Sequence, residues 1–225
     1  MQHKLFVAEG LKTINELYNS HYELVQWYTI SNQLSIPESL TTIITPKDLS
    51  RISFLKTPNT ALALFKIPER YNNELDDLVV ALDNVRDPGN LGTIIRLCDW
   101  FGVTQLLCNT ETVDCYNPKV VQASMGSLAR VTVSYSDLST NLSDTPHVVC
   151  GTYMDGENLY SSDLSDKTIL VFGNEANGIS EELGHHIDKK LAIPRFGDTQ
   201  ETESLNVANA VAIFLSEFKR RSIEK

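Results

Sequence analysis

The stretch ALDNVRDPGNLGTIIRLCDWFGV, residues 81–103, changes character twice within its length. Ala81 to Asp83 closes an apolar run that begins at Leu78 and reads as a strand. Asp87-Pro88-Gly89-Asn90 is turn chemistry, with Asn90 expected as the N-cap of the next helix. From Leu91 the apolar residues recur at helical spacing, so Leu91, Ile94, Ile95, Cys98 and Phe101 form one stripe expected to face a sheet. Gly92, Arg96 and Asp99 share a different face.

Helical side chains lean toward the N-terminus, which puts Arg96 over the turn containing Gly92. A glycine inside a helix costs about 1 kcal/mol relative to alanine. Two readings of that glycine stay open. It clears room for the guanidinium at the mouth of the loop, where backbone N–H groups favour an anion. Alternatively it serves helix–sheet packing, and Arg96 is a surface residue paired with Asp99.

Outward from this stretch the pattern is regular. LVVALD, TQLLC, RVTVS, HVVCGTY, TILVFG and KKLAI read as strands. NLGTIIRLCDWFG, PKVVQASMGSL and the closing SLNVANAVAIFLSEFKRR read as helices. Such alternation predicts an α/β fold, a mostly parallel sheet with helices on both faces, over residues 78–225. Ligands of such sheets bind outside the carboxyl ends of the strands. Residues 1–68 form a smaller α/β piece, with an amphipathic segment through Leu11, Ile14 and Leu17 and β-rich runs ELVQWYTI, TTIIT and TALALFKI. A polar linker, 69–77, joins the two.

Composition narrows the classes. The chain is 42% hydrophobic and 21% charged, as expected of a globular protein. No apolar run is long enough to span a bilayer, and the start lacks a signal-peptide core. Cys98, Cys108, Cys115 and Cys150 form no CxxC pair and read as buried thiols of a reducing cytoplasm. The formal charge of −10 argues against a protein that coats nucleic acid indiscriminately. Residues 1–70 are nearly balanced, with seven Lys/Arg against six Asp/Glu, so the acid excess lies in the larger part.

Two further loops carry chemical signals. In LVFGNEANGIS, residues 170–180, a strand ends at Gly173, a second glycine follows at 178, and Ser180 is placed to cap the next helix. In IPRFGDTQETESLN, residues 193–206, Pro194 ends a strand and Ser204 is expected as an N-cap. Asn206 is a poor helix former in the first turn, which hints at a side-chain task. No dinucleotide glycine fingerprint, P-loop or nucleophile elbow is present. His185-His186 lacks ligand-spaced companions and reads as solvated surface, so no metal is expected.

Taken in this order, Asn84 to Arg96, Phe172 to Ile179, and Ile193-Pro194 to Ser204-Leu205-Asn206 resemble motifs 1, 2 and 3 of the SpoU (TrmH-like) family of RNA ribose 2′-O-methyltransferases, in the SPOUT superfamily. The start LFVAEGLKTINELYNS is similar to the L30e-like substrate-binding domain that many members carry. The resemblance implies a C-terminal trefoil knot, a homodimer with its active site near the subunit contact, and S-adenosylmethionine as cofactor. It implies backbone contacts to that cofactor at Gly173, Ile193 and Leu205, with Asn174, Glu175 and Gly178 shaping the pocket. Asn84, Arg96, Glu175, Ser204 and Asn206 match the polar catalytic positions. The RNA partner, ribosomal or transfer RNA, is expected to meet Lys4, Lys12, Arg86, Arg96, Arg130 and Arg195. Motif 3 is lengthened at Asp198–Glu203, and Arg195 replaces a typical methionine. Rival readings are an RNA-binding or assembly factor that keeps the fold without turnover, and another nucleotide-using α/β enzyme.

Overall fold

The computed structural model describes residues 3–69, 74–197 and 204–223. Two sheets result. The first is built from β1 (Leu5–Glu9), β2 (Leu24–Thr29), β3 (Thr41–Ile43) and β4 (Ala61–Lys66), in the order β1-β4-β2-β3. Its helices are α1 (Leu11–Tyr18) and α2 (Pro46–Ile52). Ile14 and Leu17 of α1 bury against Trp27, Ala63 and Phe65, as their spacing predicts. The segment that becomes α2 carries no long apolar stripe. It forms because Thr45 caps it through the Asp48 N–H and Pro46 occupies its first turn.

The second sheet is entirely parallel, in the order β10-β8-β9-β5-β6-β7. Its strands are β5 (Leu78–Leu82), β6 (Gln105–Cys108), β7 (Thr132–Tyr135), β8 (Val148–Asn158), β9 (Thr168–Phe172) and β10 (Lys189–Ala192). The helices are α3 (Pro88–Trp100), α4 (Pro118–Ser124), α5 (Leu138–Ser143), α6 (Glu181–Gly184) and α7 (Val207–Ile223). Alternate residues of the central strands point to opposite faces. Val80, Leu82, Leu170 and Phe172 meet the stripe of α3 and the apolar side of α7. Val79, Ala81, Ile169 and Val171 meet Leu138, Leu142 and Leu183 of α5 and α6. Both faces are thus covered, as the alternation of elements requires.

Three elements depart from expectation. The helix expected over 118–128 stops at Ser124, because Met125 and Gly126 both take positive φ, 54° and 93°. The strand expected to end at Tyr153 runs on to Asn158. Helix α5, capped by Asp137 through the Ser139 N–H, is too short and polar to have been read from periodicity.

The two sheets meet along a packed seam. The Phe6 ring lies 4.7 Å from Tyr116, and the Tyr22 and Tyr116 hydroxyls are 3.4 Å apart. Arg130 reaches both Asp99 of α3, at 2.8 Å, and Glu16 of α1, at 2.5 Å. A Cβ on Gly126 would sit 2.9 Å from Glu16 Cβ, so the glycine permits this approach. Part of the linker is also pinned, since Gln105 and Thr104 hold Asp76. All four cysteines are buried and free, and burial pushes the Cys98 and Cys115 thiols up to about 12.

Candidate active site

The loops after β5, β9 and β10 converge at the carboxyl edge of the parallel sheet, and their side chains are joined by hydrogen bonds. Asn90 is the junction. Its Nδ2 donates to Glu175 Oε1 at 2.6 Å, and its Oδ1 accepts from Asn206 Nδ2 at 2.9 Å. One residue of the first loop therefore ties the other two loops to it. Asn90 does not cap α3 as expected. Asp87 does, its Oδ1 accepting from the Asn90 N–H at 2.8 Å, and Pro88 fills the first turn. That arrangement releases the Asn90 amide for the bridge.

A parallel correction applies to the third loop. Asn206, not Ser204, caps α7, its Oδ1 accepting from the Ala208 N–H at 2.9 Å. The same amide supplies the Asn90 contact through its nitrogen, so both ends of Asn206 are engaged. The side-chain task inferred from its poor helix propensity is this double contact. Ser180 stands at the N-cap of α6, yet its hydroxyl makes no capping bond.

The second loop folds on itself. Asn174 and Gly178 exchange backbone hydrogen bonds of 3.0 and 2.8 Å, closing a miniature hairpin. A Cβ at Gly173 would fall 2.1 Å from the Gly178 carbonyl carbon. The absent side chain of Gly173 is thus filled by the loop's own backbone rather than left for a ligand. Gly178, at φ 69° with open space around it, is the glycine that faces outward. Asn84 takes φ 62°, its carbonyl accepts from Asn174 Nδ2 at 2.8 Å, and its side chain turns to Asp83. Asn84, expected among the catalytic groups, lies beneath the loops and is not among the residues that line the cavity.

A cavity of about 900 Å³ opens between the second and third loops. Gly173, Asn174, Glu175, Gly178, Ile193, Ser204 and Leu205 all line it, and so does Arg195. Its floor is apolar, with Phe172, Ile179 and Phe214. The wall opposite comes from β8. Between Gly151, paired with Lys190, and Glu157, paired with Leu191, the strand loops away from β10 and presents Thr152 to Asp155 to the cavity. Gly156 allows the return, since a Cβ there would lie 2.6 Å from the Leu191 backbone. Sequence reading missed this wall because a looped-out strand has no periodicity of its own; Gly156 was the one signal for it. A smaller cavity of about 370 Å³ beside Pro46 and Asn59 holds no motif residue.

Arg96 is not on the cavity wall. It is exposed on α3 and has no partner among the described residues, while Asp99, its expected mate, is held by Arg130. Gly92 does not clear space for it. A Cβ at Gly92 would lie 2.4 Å from Ala123 Cβ and 2.9 Å from the Val120 carbonyl, so the glycine lets α3 and α4 touch. Packing is the correct reading, against a helix rather than the sheet.

The expected RNA contacts are scattered. Lys4 and Lys12 are exposed on the first sheet's domain, and Arg86 pairs loosely with Glu111 at 3.6 Å. Arg130 is committed to the seam. Arg195 approaches Met154 Sδ at 3.8 Å on the cavity rim. The extra motif 3 acids, Asp198 to Glu203, lie outside the described residues. His185 is exposed and His186 half-buried, and among the described residues no cluster of His, Cys, Asp or Glu could hold a metal.

With three loops bound together around one cavity, comparison with known proteins is decisive. Residues 77–216 match the model of the SpoU rRNA Methylase family. The chain belongs to that family. It is 28% identical, over 93% of its length and 86% of the relative's, to the 23S rRNA (guanosine(2553)-2′-O)-methyltransferase RlmP of Bacillus subtilis. A TrmH-family protein of known structure from Porphyromonas gingivalis superimposes with a TM-score of 0.89 at 36% identity, covering 98% of this chain and 91% of that one. An AdoMet-bound rRNA methyltransferase from Sinorhizobium meliloti gives 0.85 at 27% identity, covering 98% and 88%. Both likenesses span the two sheets, whereas the family model covers the second alone. Among the described residues, no helix of this SpoU protein is long and apolar enough to cross a membrane.

Proposed function

We propose that this protein transfers a methyl group from S-adenosylmethionine to a ribose 2′-hydroxyl of ribosomal or transfer RNA. The observation that carries the reading is the Glu175–Asn90–Asn206 hydrogen-bond chain, which assembles the three family motifs beside one cavity. Relatives named for 2′-O-methylation of 23S rRNA, and of tRNA at guanosine 18, support the substrate class.

The cavity fits the cofactor. Its volume lies within the range of single small-molecule sites, and its apolar floor carries few polar groups. Backbone at Gly173, Ile193 and Leu205, with Asn174, Glu175 and Gly178, would hold the molecule. When bound, S-adenosylmethionine supplies a methyl group already activated on a sulfonium. The chain's own residues then align and stabilise. Glu175 is held in place by Asn90, Ser204 offers a hydroxyl at the mouth, and Asn206 is fixed at both ends. Arg96 is assigned an electrostatic role here rather than that of the base. Its task in this reading is to anchor the adjacent phosphate and to stabilise the developing alkoxide.

A homodimer belongs to the same proposal. Arg96 is off the cavity wall, and Trp100, one turn further along α3, is 83% exposed. A second copy docked on this face covers the tryptophan and brings Arg96 of one protomer toward the cavity of its partner. We also take the C-terminal segment to be threaded as a trefoil knot. Its support is that β10 lies at the sheet edge while α7 returns to set Phe214 edge-on against Phe172 of the interior strand β9, centroids 5.6 Å apart. The first 68 residues act as an L30e-like RNA-binding domain offering Lys4 and Lys12, and cytoplasmic residence accords with the four unpaired thiols.

The test is transfer of labelled methyl from S-adenosylmethionine to purified rRNA and tRNA. The expected product is a single site resistant to alkaline cleavage. Label on a base, or no transfer by protein that binds the cofactor, would overturn the proposal.

A further inference from the structure

Directly beneath the three loops lies a carboxylate that none of the motif positions includes. Asp83 follows the last residue of β5 and is only 1% exposed. Its Oδ1 accepts from Asn84 Nδ2 at 3.2 Å and from Asn109 Nδ2 at 2.8 Å. Its Oδ2 accepts from the Ser180 backbone N–H at 2.7 Å. All three partners are neutral; among the described residues no lysine or arginine pairs with it. Burying a carboxylate without a cation is expensive, and hydrogen bonds to a charged acceptor are the strong ones that can offset it.

These partners are informative by position. Ser180 ends the second loop, the one that lines the cavity from Gly173 to Ile179. The other end of that loop, Asn174, donates its side-chain amide to the Asn84 carbonyl at 2.8 Å. Asn84 is itself held by Asp83, in a left-handed conformation that asparagine tolerates better than most residues. Asn109, the third partner, also accepts from the Asn84 N–H at 3.0 Å. Both ends of the cavity loop are therefore fixed to one carboxylate, directly at Ser180 and through Asn84 at Asn174.

We infer that Asp83 is the positioning residue for the cofactor site: it sets the shape of the 173–180 loop without touching the ligand. The inference rests on the proposed use of S-adenosylmethionine. At metal sites, outer-shell groups that orient the ligands change affinity or activity by about 10- to 100-fold when removed, and an effect of that order is expected here.

Two substitutions break the same bond from opposite sides. Asp83→Asn removes the charge and one acceptor. Ser180→Pro removes only the N–H, at a residue whose φ of −60° suits proline and whose hydroxyl makes no cap. Calorimetric titration with S-adenosylmethionine is expected to show each variant binding at least about tenfold more weakly. In turnover the loss falls on KM for the cofactor more than on kcat. Ile14→Val, which loosens the core of the first sheet at a residue that does not line the cavity, serves as the control: it lowers thermal stability and leaves cofactor affinity intact. Ser180→Pro binding within twofold of the native protein would overturn the inference, whether or not Asp83→Asn folds. Native protein that binds no S-adenosylmethionine at all would bring down the proposed function, and this inference with it.

Discussion

The Asn206 side-chain nitrogen lies 2.9 Å from the Asn90 side-chain oxygen, a contact across 116 positions of the chain. It locks the start of the last helix to the start of the first helix of the parallel sheet. Because Asn90 also donates to Glu175, replacing it removes two contacts at once. Asn90→Ala is expected to fold and to lose methyl transfer by at least about 100-fold, since preorganised catalytic contacts carry effects of that size. Steady-state kinetics beside a melting curve checks this.

Arg96 separates binding from chemistry. It has no seat on the cavity wall, so Arg96→Ala is expected to leave S-adenosylmethionine affinity within twofold while transfer falls by about 100-fold or more. Arg96→Lys is expected to recover little of it, because a lysine cannot present the bidentate fork. Titration and transfer assays on the same preparations decide.

Gly92→Ala opposes two effects of different size. Alanine improves helix propensity by about 1 kcal/mol. The added methyl would stand 2.4 Å from Ala123 Cβ with backbone close behind, and overpacking of this kind costs about 1–3 kcal/mol. A net loss of stability is expected, read as a lower urea midpoint with unchanged slope.

How far the sequence could be read depends on where each signal lives. The stripe Leu91, Ile94, Ile95 and Cys98 buries completely, because helical period alone dictates it. Gly92 was legible as an oddity but not as a helix–helix contact, since its partner Ala123 lies on another element. Asn90 reads in sequence as the cap of α3, and only three-dimensional geometry gives that role to Asp87 and frees the Asn90 amide. Asp83 looks in sequence like the polar end of a strand. Its function depends on Asn109 and Ser180, which no local pattern connects to it.

The acid limit of stability has an identifiable source. Glu217 is buried in α7, and hydrogen bonds from Arg220, with those from Arg221, hold its carboxyl down to about 2. A carboxyl whose folded value lies below its ordinary 4.5 favours the native state above that ordinary value. The contribution fades as pH falls from about 4.5 toward 2. Glu217→Gln is therefore expected to lower the melting temperature at pH 7 and to flatten its decline between pH 5 and 3. Thermal melts across that interval check the slope.

The seam between the two sheets has a consequence for how a long polymer would be handled. Arg130 spans α1 and α3, Gly126 admits Glu16, and Tyr116 stacks beside Phe6. Under the proposed function, in which the first lobe grips RNA, a joint of this kind fixes the span between that grip and the cavity mouth, like the jaws of a caliper. On that proposal the nucleotide to be modified would be chosen partly by its offset from the gripped feature. Loosening the joint at Arg130 would blur that offset and spread the product over neighbouring positions.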